Sequence, residues 1–266
     1  MYSPLQLGFK YLSYRISAAN GKGHGIHSPF VYKLVREVLN DQTFYPDYTT
    51  VEALRKQLKQ DPRILEVEDF GAGSVKGHSR NRKVSAIAKT SLKPAKYGQL
   101  LYRLVRYFQP QTLLELGTSL GITTGYLAAA NPQARLITME GAEQIAAVAR
   151  AQFQQLKLAT IEQVTGNFDT TLPAFLEELK ESLDFVFVDG NHQYEPTVRY
   201  FLQLLPHLHT GSVLVFDDIH WSAPMEEAWK EICAHESVRL SIDLFFIGLV
   251  FFRDEQKEKQ HFTIRF

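Results

Sequence analysis

Cysteine is almost missing: Cys233 stands alone among the 266 residues. One thiol cannot close an intrachain disulfide or build a cysteine-rich zinc site, and the scarcity fits a reducing compartment. Long apolar runs are missing too. The longest, Leu244–Phe252 interrupted by Gly248, falls far short of the ~20 residues of a membrane span. Lys10 and Arg15 occupy the stretch where a signal peptide would be apolar. The chain therefore reads as cytoplasmic, with no membrane span. Net charge is also absent, with 29 Lys+Arg against 29 Asp+Glu. That argues against a globally basic nucleic-acid binder. Acid is lacking locally as well. From Phe70 to Leu114 there is no Asp or Glu, while Lys76, Arg80, Arg82, Lys83, Lys89, Lys93, Lys96, Arg103 and Arg106 all fall there. Such a stretch is either a solvated basic face or a patch that meets an anionic group.

Two kinds of pattern divide the chain. Residues 1–92 read as a helical N-terminal extension followed by a basic loop. His27-Ser28-Pro29 is a helix start, with Ser28 as N-cap and Pro29 at the first helical position. Thr50–Gln60 is a second short helix, and Ile64–Phe70 alternates like a strand or extended arm. Gly71, Gly73, Ser74 and Gly77 follow, and the segment Gly71–Lys96 is expected to be a mobile basic cover. Residues 93–266 form the second part. An amphipathic helix carries Leu100, Leu101, Leu104, Val105 and Phe108 and ends before Pro110. Buried strands are then expected at Thr112–Leu116, Leu136–Met139, Leu183–Val188 and Ser212–Phe216, with helices such as Ala142–Leu156 and Tyr194–Leu205 between them. This alternation predicts an α/β fold, a doubly wound, mostly parallel, Rossmann-like sheet covered on both faces. Leu244–Phe252 and Gln260–Phe266, joined by a polar turn, predict an antiparallel C-terminal hairpin.

Two glycine loops compete as nucleotide sites. A ligand loop needs a buried strand, a tight glycine turn and a helix whose N-terminal N–H groups face the ligand. Glu115-Leu116-Gly117-Thr118-Ser119-Leu120-Gly121 has all three. Glu68-Asp69-Phe70-Gly71-Ala72-Gly73-Ser74 runs instead into a basic stretch that makes a poor buried helix. Glu140 ends the next strand, 23 residues beyond Gly117. An acid there can accept hydrogen bonds from both hydroxyls of a ribose. The dinucleotide pattern GxGxxG is absent.

These runs resemble the class I S-adenosylmethionine-dependent methyltransferases, and among them the catechol and caffeoyl-CoA O-methyltransferase group. The likeness covers Gln111–Thr124, Ala134–Glu140, Asp184–Asp189 and Gly211–Asp218, and extends from about Lys93 to Phe266. Lys96-Tyr97-Gly98-Gln99 is similar to the family's Gly-Gln approach to the cofactor. The resemblance implies S-adenosyl-L-methionine as cofactor, with Gly98, Glu115, Gly117, Ser119, Gly121, Glu140 and Asp189 around it. Asn167 and Phe168 fall where the family's adenine contacts lie. It also implies that Asp189 and Asp217 hold a divalent cation that orients the acceptor, with Asp218 where the family has Asn.

Three carboxylates at neighbouring strand ends repel unless a cation or protons intervene, and oxygen donors suit Mg²⁺ or Mn²⁺. The alternative is that these aspartates position the acceptor without metal. His192, where the family has Lys, can take a proton near neutral pH. Asp189 and His192 are thus the candidate catalytic pair, and His220 and Trp221 candidate walls of an acceptor pocket. The expected activity is O-methylation of a small hydroxyl-bearing acceptor. A metal-free sugar or lipid-headgroup methyltransferase, an RNA methyltransferase using the basic stretch, and a non-catalytic dinucleotide-binding protein remain alternatives. The acceptor and the oligomeric state are not legible.

Overall fold

Strands form where β-branched and aromatic residues run without interruption, and helices where apolar residues recur every three or four. A computed structural model describes residues 1–67, 81–158 and 160–266. The first glycine loop and Lys76, His78 and Arg80 lie outside the described residues, as do residues 71–80 of the expected basic cover.

The N-terminal helices are α1 (Pro4–Ser17), α2 (Pro29–Leu34), which runs on as a π-helical turn over Val35–Leu39, and α3 (Pro46–Leu58). Ser28 caps α2 by accepting from the Val31 N–H at 3.4 Å. A short antiparallel pair follows, β1 (Ile64–Glu66) with β2 (Asn81–Lys83), then α4 (Val84–Thr90). Residues 81–90 are thus regular structure rather than part of a loop. Next come α5 (Ala95–Phe108), β3 (Thr112–Leu116), α6 (Ile122–Ala130), β4 (Arg135–Glu140), α7 (Glu143–Gln155), β5 (Ile161–Thr165) and α8 (Phe168–Glu178). The chain ends with β6 (Leu183–Val188), α9 (Tyr194–Leu204), β7 (Leu208–Asp217), α10 (Ala223–Ala234), β8 (Leu240–Asp243), β9 (Ile247–Phe251) and β10 (Gln260–Thr263). The strand order is β10-β8-β9-β7-β6 in one part of the chain and β3-β4-β5 in the other, mostly parallel. The expected α/β class is the one found. No described helix is long and apolar enough to cross a membrane.

The chain divides into two compact units, residues 42–179 and residues 1–41 with 180–266. They are cut differently from the boundary expected at residue 92. In the contiguous unit, β3, β4 and β5 pair in parallel. Helix α5 lies close to α6, because Gly98 lets the Tyr126 ring sit where a side chain would be: a Cβ would meet that ring at 2.5 Å. The Tyr126 hydroxyl donates to Glu52 at 2.8 Å, which ties α6 to α3.

In the discontinuous unit, β6 and β7 are parallel, and β9 lies antiparallel between β7 and β8. The terminal hairpin therefore forms differently from the expected one. Its turn is Asp243–Ile247, where the Phe245 N–H donates to Asp243 at 2.7 Å and Phe245 adopts φ 72°. Both edges of β9 are then filled, so Gln260–Thr263 can only join the open edge of β8, and it does so in parallel. The short β8, with Ser241 and Asp243 in it, lacks the apolar run that marks its neighbours.

One face of α1 is fastened to this unit. Tyr14 is buried, donates to the Ile264 carbonyl at 2.5 Å and accepts from the Phe266 N–H at 2.9 Å. Burial pushes its phenol up to about 12. Tyr11 and Tyr14 pack on Phe245, with ring centroids 5.1 and 5.2 Å apart. Glu226 on α10 gathers Tyr2 at 2.8 Å, Lys10 at 2.9 Å and His220 at 2.9 Å, and His220 reaches Asp243 at 2.7 Å. Burial opposes ionisation of Glu226, but the bonds from Lys10, Tyr2 and His220 outweigh it and hold the carboxyl below its ordinary value.

Two outcomes are expected from these contacts. A depressed carboxyl contributes stability above its unfolded pKa and loses it as pH falls through the folded one. Glu226→Gln should lower stability near neutral pH by about 1–2 kcal/mol, after allowance for partial exposure. The gap from wild type should close in acid below the ordinary carboxylate range, as followed by urea unfolding at a series of pH values. Gly98→Ala should cost about 1–3 kcal/mol through overpacking against Tyr126, although it removes no polar group. Calorimetric melting would measure it.

Candidate active site

The glycine loop of the contiguous unit is built on a buried carboxylate. Every residue of β3 is buried, and Glu115 is 0% exposed. Its Oε2 accepts from the Thr124 hydroxyl at 2.5 Å and the Thr138 hydroxyl at 2.6 Å. Thr138 also lies 2.6 Å from the Thr118 hydroxyl. A hydroxyl has one proton, and that of Thr138 goes to Glu115, so Thr118 is the donor to Thr138. One chain of hydrogen bonds thus runs from the loop through β4 to β3, and on to α6. Thr118, Thr124 and Thr138 were not singled out from sequence. The available signal was Thr138 alone, a hydroxyl between Ile137 and Met139 in the otherwise apolar run Leu136–Met139.

Above this network the backbone turns sharply. Gly117, Ser119 and Gly121 have φ of 110°, 47° and 81°. A Cβ at Gly121 would also come 2.8 Å from Phe153. The turn is closed by the Gly117 and Thr118 N–H groups donating to the Met139 carbonyl at 2.9 and 3.0 Å. It opens directly into α6.

Glu140 sits beside the turn. Its Oε2 accepts from the Ser119 N–H at 2.8 Å and its Oε1 from the Ala142 N–H at 3.0 Å. It pairs in register with Thr165 of β5, and its carbonyl accepts from the Gly166 N–H at 2.9 Å. Asn167 and Phe168 follow at the start of α8. Asn167 caps that helix, accepting from the Asp169 N–H at 2.9 Å. Gly117, Ser119, Gly121, Glu140 and the Gly166–Phe168 turn therefore gather at the C-terminal ends of three parallel strands, the ligand-binding end of such sheets. Glu115 is beneath the loop, and Gly98 faces Tyr126.

The discontinuous unit carries the acidic cluster. Val188 and Phe216 are paired in register, so Asp189 and Asp217 end neighbouring strands. Donor atoms of Asp189, His192 and Asp217 lie within 4.8 Å of one another. His192 Nε2 is 3.4 Å from Asp189 Oδ1. The ring is brought there by two successive left-handed residues, Asn191 at φ 66° and His192 at φ 46°. Asn191 donates to the Tyr200 hydroxyl at 3.2 Å, which anchors the turn to α9.

One expectation changes here. Asp218 does not join the cluster, and His192 takes its place. Asp218 is itself left-handed at φ 53°, and its N–H donates to the Phe246 carbonyl at 2.7 Å. It leaves the strand on a different course from Asp217. His220 is also tied to neighbouring side chains. It is stacked on Phe245 at 5.1 Å and bonded to both Glu226 and Asp243. The Trp221 carbonyl accepts from the Tyr2 N–H at 3.1 Å.

Part of the chain matches known proteins. Residues 114–219 match the family described as "Methyltransferase domain". A catechol O-methyltransferase of Niastella koreensis is 33% identical over 124 residues, covering 46% of this chain and 55% of the relative. One from Mycobacterium tuberculosis is 33% identical over 127 residues, covering 47% and 56%. The chain thus spans about half the length of the curated relatives it matches. Among solved structures, an O-methyltransferase from Bacillus cereus in complex with SAH has a TM-score of 0.55 at 20% identity, covering 84% of this chain and 97% of that one. The SAH-bound Podospora anserina methyltransferase PaMTH1 has a TM-score of 0.60 at 11% identity, covering 96% and 98%. In sequence and fold the chain resembles the class I S-adenosylmethionine-dependent methyltransferases, the catechol and caffeoyl-CoA O-methyltransferase group among them, with residues 114–219 matching the methyltransferase-domain family.

Proposed function

We propose that the chain is an S-adenosylmethionine-dependent methyltransferase that O-methylates a small hydroxyl-bearing acceptor. The observation that carries this reading is Glu140, whose carboxylate is held by two backbone N–H groups beside the left-handed turn. A carboxylate oxygen accepts more than one hydrogen bond, so Glu140 can serve the loop and the two hydroxyls of a ribose together. Gly117, Ser119 and Gly121 then form the wall for the amino-acid part, with Gly98 and Glu115 shaping it from behind. Asn167 and Phe168 flank the adenine. The names of the catechol O-methyltransferase relatives support a hydroxyl as acceptor.

When bound, S-adenosylmethionine supplies a methyl already activated on a sulfonium. The protein has to align the acceptor oxygen and take its proton, and alignment carries most of the rate. His192 is the proposed base, accepting the acceptor's proton at a ring nitrogen, and Asp189 orients the ring and stabilises the imidazolium. A second reading rests on the three donors within 4.8 Å. Asp189, His192 and Asp217 would there hold a divalent cation, and the imidazole suits Mn²⁺ better than Mg²⁺. Such a cation would lower the pKa of the acceptor hydroxyl. The two uses of His192 exclude each other, because a ligating nitrogen has no lone pair left for a proton.

Glu140→Ala should weaken S-adenosylmethionine binding by about 2–4 kcal/mol, from the loss of two charge-assisted hydrogen bonds. Titration calorimetry measures this. Wild-type affinity in the variant would end the ribose assignment, and tight NAD binding would end the methyltransferase reading. With catechol as acceptor, His192→Ala should lower turnover by roughly 10²–10⁴-fold at unchanged cofactor affinity. EDTA separates the two uses of His192. Activity retained in EDTA leaves His192 as base, and activity abolished there with cofactor binding intact makes it a ligand.

A further inference from the structure

Helix α1 is fastened to its own unit along one face and apolar on the other. Leu5 is 77% exposed, Phe9 73%, Leu12 56% and Ile16 74%. The spacing of four, three and four residues puts them in a single seam, the pattern by which one helix packs along another. Large side chains in a continuous stripe on an otherwise ordinary surface mark an interaction site.

The seam is also self-complementary. When two copies of α1 are laid antiparallel about the point between Lys10 and Tyr11, Leu5 faces Ile16 of the other copy and Phe9 faces Leu12. The same register sets Gly8 opposite Ser13, two small exposed residues on which the backbones can approach. A Cβ at Gly8 would meet nothing within 4 Å in its own chain. Arg15 falls opposite Gln6, so no like charges meet. A twofold interface requires this reciprocity, residue i touching j while j touches i. Antiparallel helix dipoles add to it.

We propose that this face of α1 is the interface of a homodimer, formed by antiparallel pairing of α1 with α1 of a second copy. The four apolar side chains present on the order of 500 Å² per copy, so pairing removes about 1,000 Å² in total, the lower limit for a specific interface. The helix is already rigid, because Tyr2, Lys10 and Tyr14 hold its other face. Pairing therefore costs little ordering of the backbone. The chemistry of a lipid surface fits less well. An interfacial helix carries many Lys and Arg on its polar face. Here α1 has Arg15 and Lys10, and Lys10 is bonded to Glu226.

Sedimentation velocity of the whole chain at tens of micromolar is the test. The wild type should sediment as a dimer, and Phe9→Glu combined with Leu12→Glu should raise the dissociation constant on the order of 100-fold or more. Both residues are exposed in the single chain, so the variant should keep the wild type's helix content by circular dichroism, and should melt with it at concentrations low enough for both to be monomers. A second variant fixes the register. Gly8→Cys with Ser13→Cys should give a covalent dimer on mild oxidation, whereas the wild type should not. Its single thiol, Cys233, is pushed up to about 12 by burial and reacts poorly. A monomeric wild type, or a dimer indifferent to the two glutamates, would overturn the proposal. So would a monomer that sediments with phosphatidylglycerol vesicles, which would make α1 a membrane-surface helix instead.

Discussion

A carboxylate with no exposure at all, Glu115, governs the half of the molecule that carries the glycine turn. Two threonine hydroxyls aimed at its Oε2 offset part of the cost of burying it. A buried polar network is stable when its members are satisfied and costly when one is removed. The same bonds tie β3, β4, α6 and the loop residue Thr118 to one another, so the left-handed turn inherits the rigidity of three elements. Glu140 then has fixed N–H donors to lean on. The ligand-facing surface is a consequence of what lies beneath it rather than an independent loop.

The parts of the fold that could be read from sequence were those governed by local chemistry. Leu183–Val188 is apolar except for Asp184 and became β6. Ser28-Pro29 is a capping pair and starts α2. The glycine turn and Glu140 were legible because strand, glycine and acid recur at a spacing that the strand geometry imposes. What stayed hidden depended on which edges remained open. Gln260–Thr263 looks like a hairpin partner for β9 until β8 takes that edge, and β8 itself is too short and polar to announce its presence. His220 looks like a pocket residue beside Asp217-Asp218, yet its partners Glu226 and Asp243 come from α10 and β8. Asp218 reads as a third carboxylate of the cluster, but one left-handed residue sends it elsewhere. The same backbone feature, repeated at Asn191 and His192, brings an imidazole in.

Asp189, His192 and Asp217 illustrate how backbone strain serves geometry. Two consecutive non-glycine residues at positive φ are unfavourable on their own. Asparagine tolerates that region better than most residues, and Asn191 is further held by Tyr200. The result is a ring nitrogen within reach of a carboxylate three residues away.

The two units also differ in continuity along the chain. Residues 42–179 are contiguous and contain β3, β4 and β5 with their covering helices, so during synthesis this unit has all its contacts available once its own last helix has emerged. Residues 1–41 emerge earlier but pack with 180–266. Tyr14 finds its bonding partners only when Ile264 and Phe266 are made, and Ala19 only when Thr263 is. Contacts of such high sequence separation form slowly. Residues 1–41 are thus placed after the segment that follows them, and α1 has to wait for its partners while the middle of the chain folds.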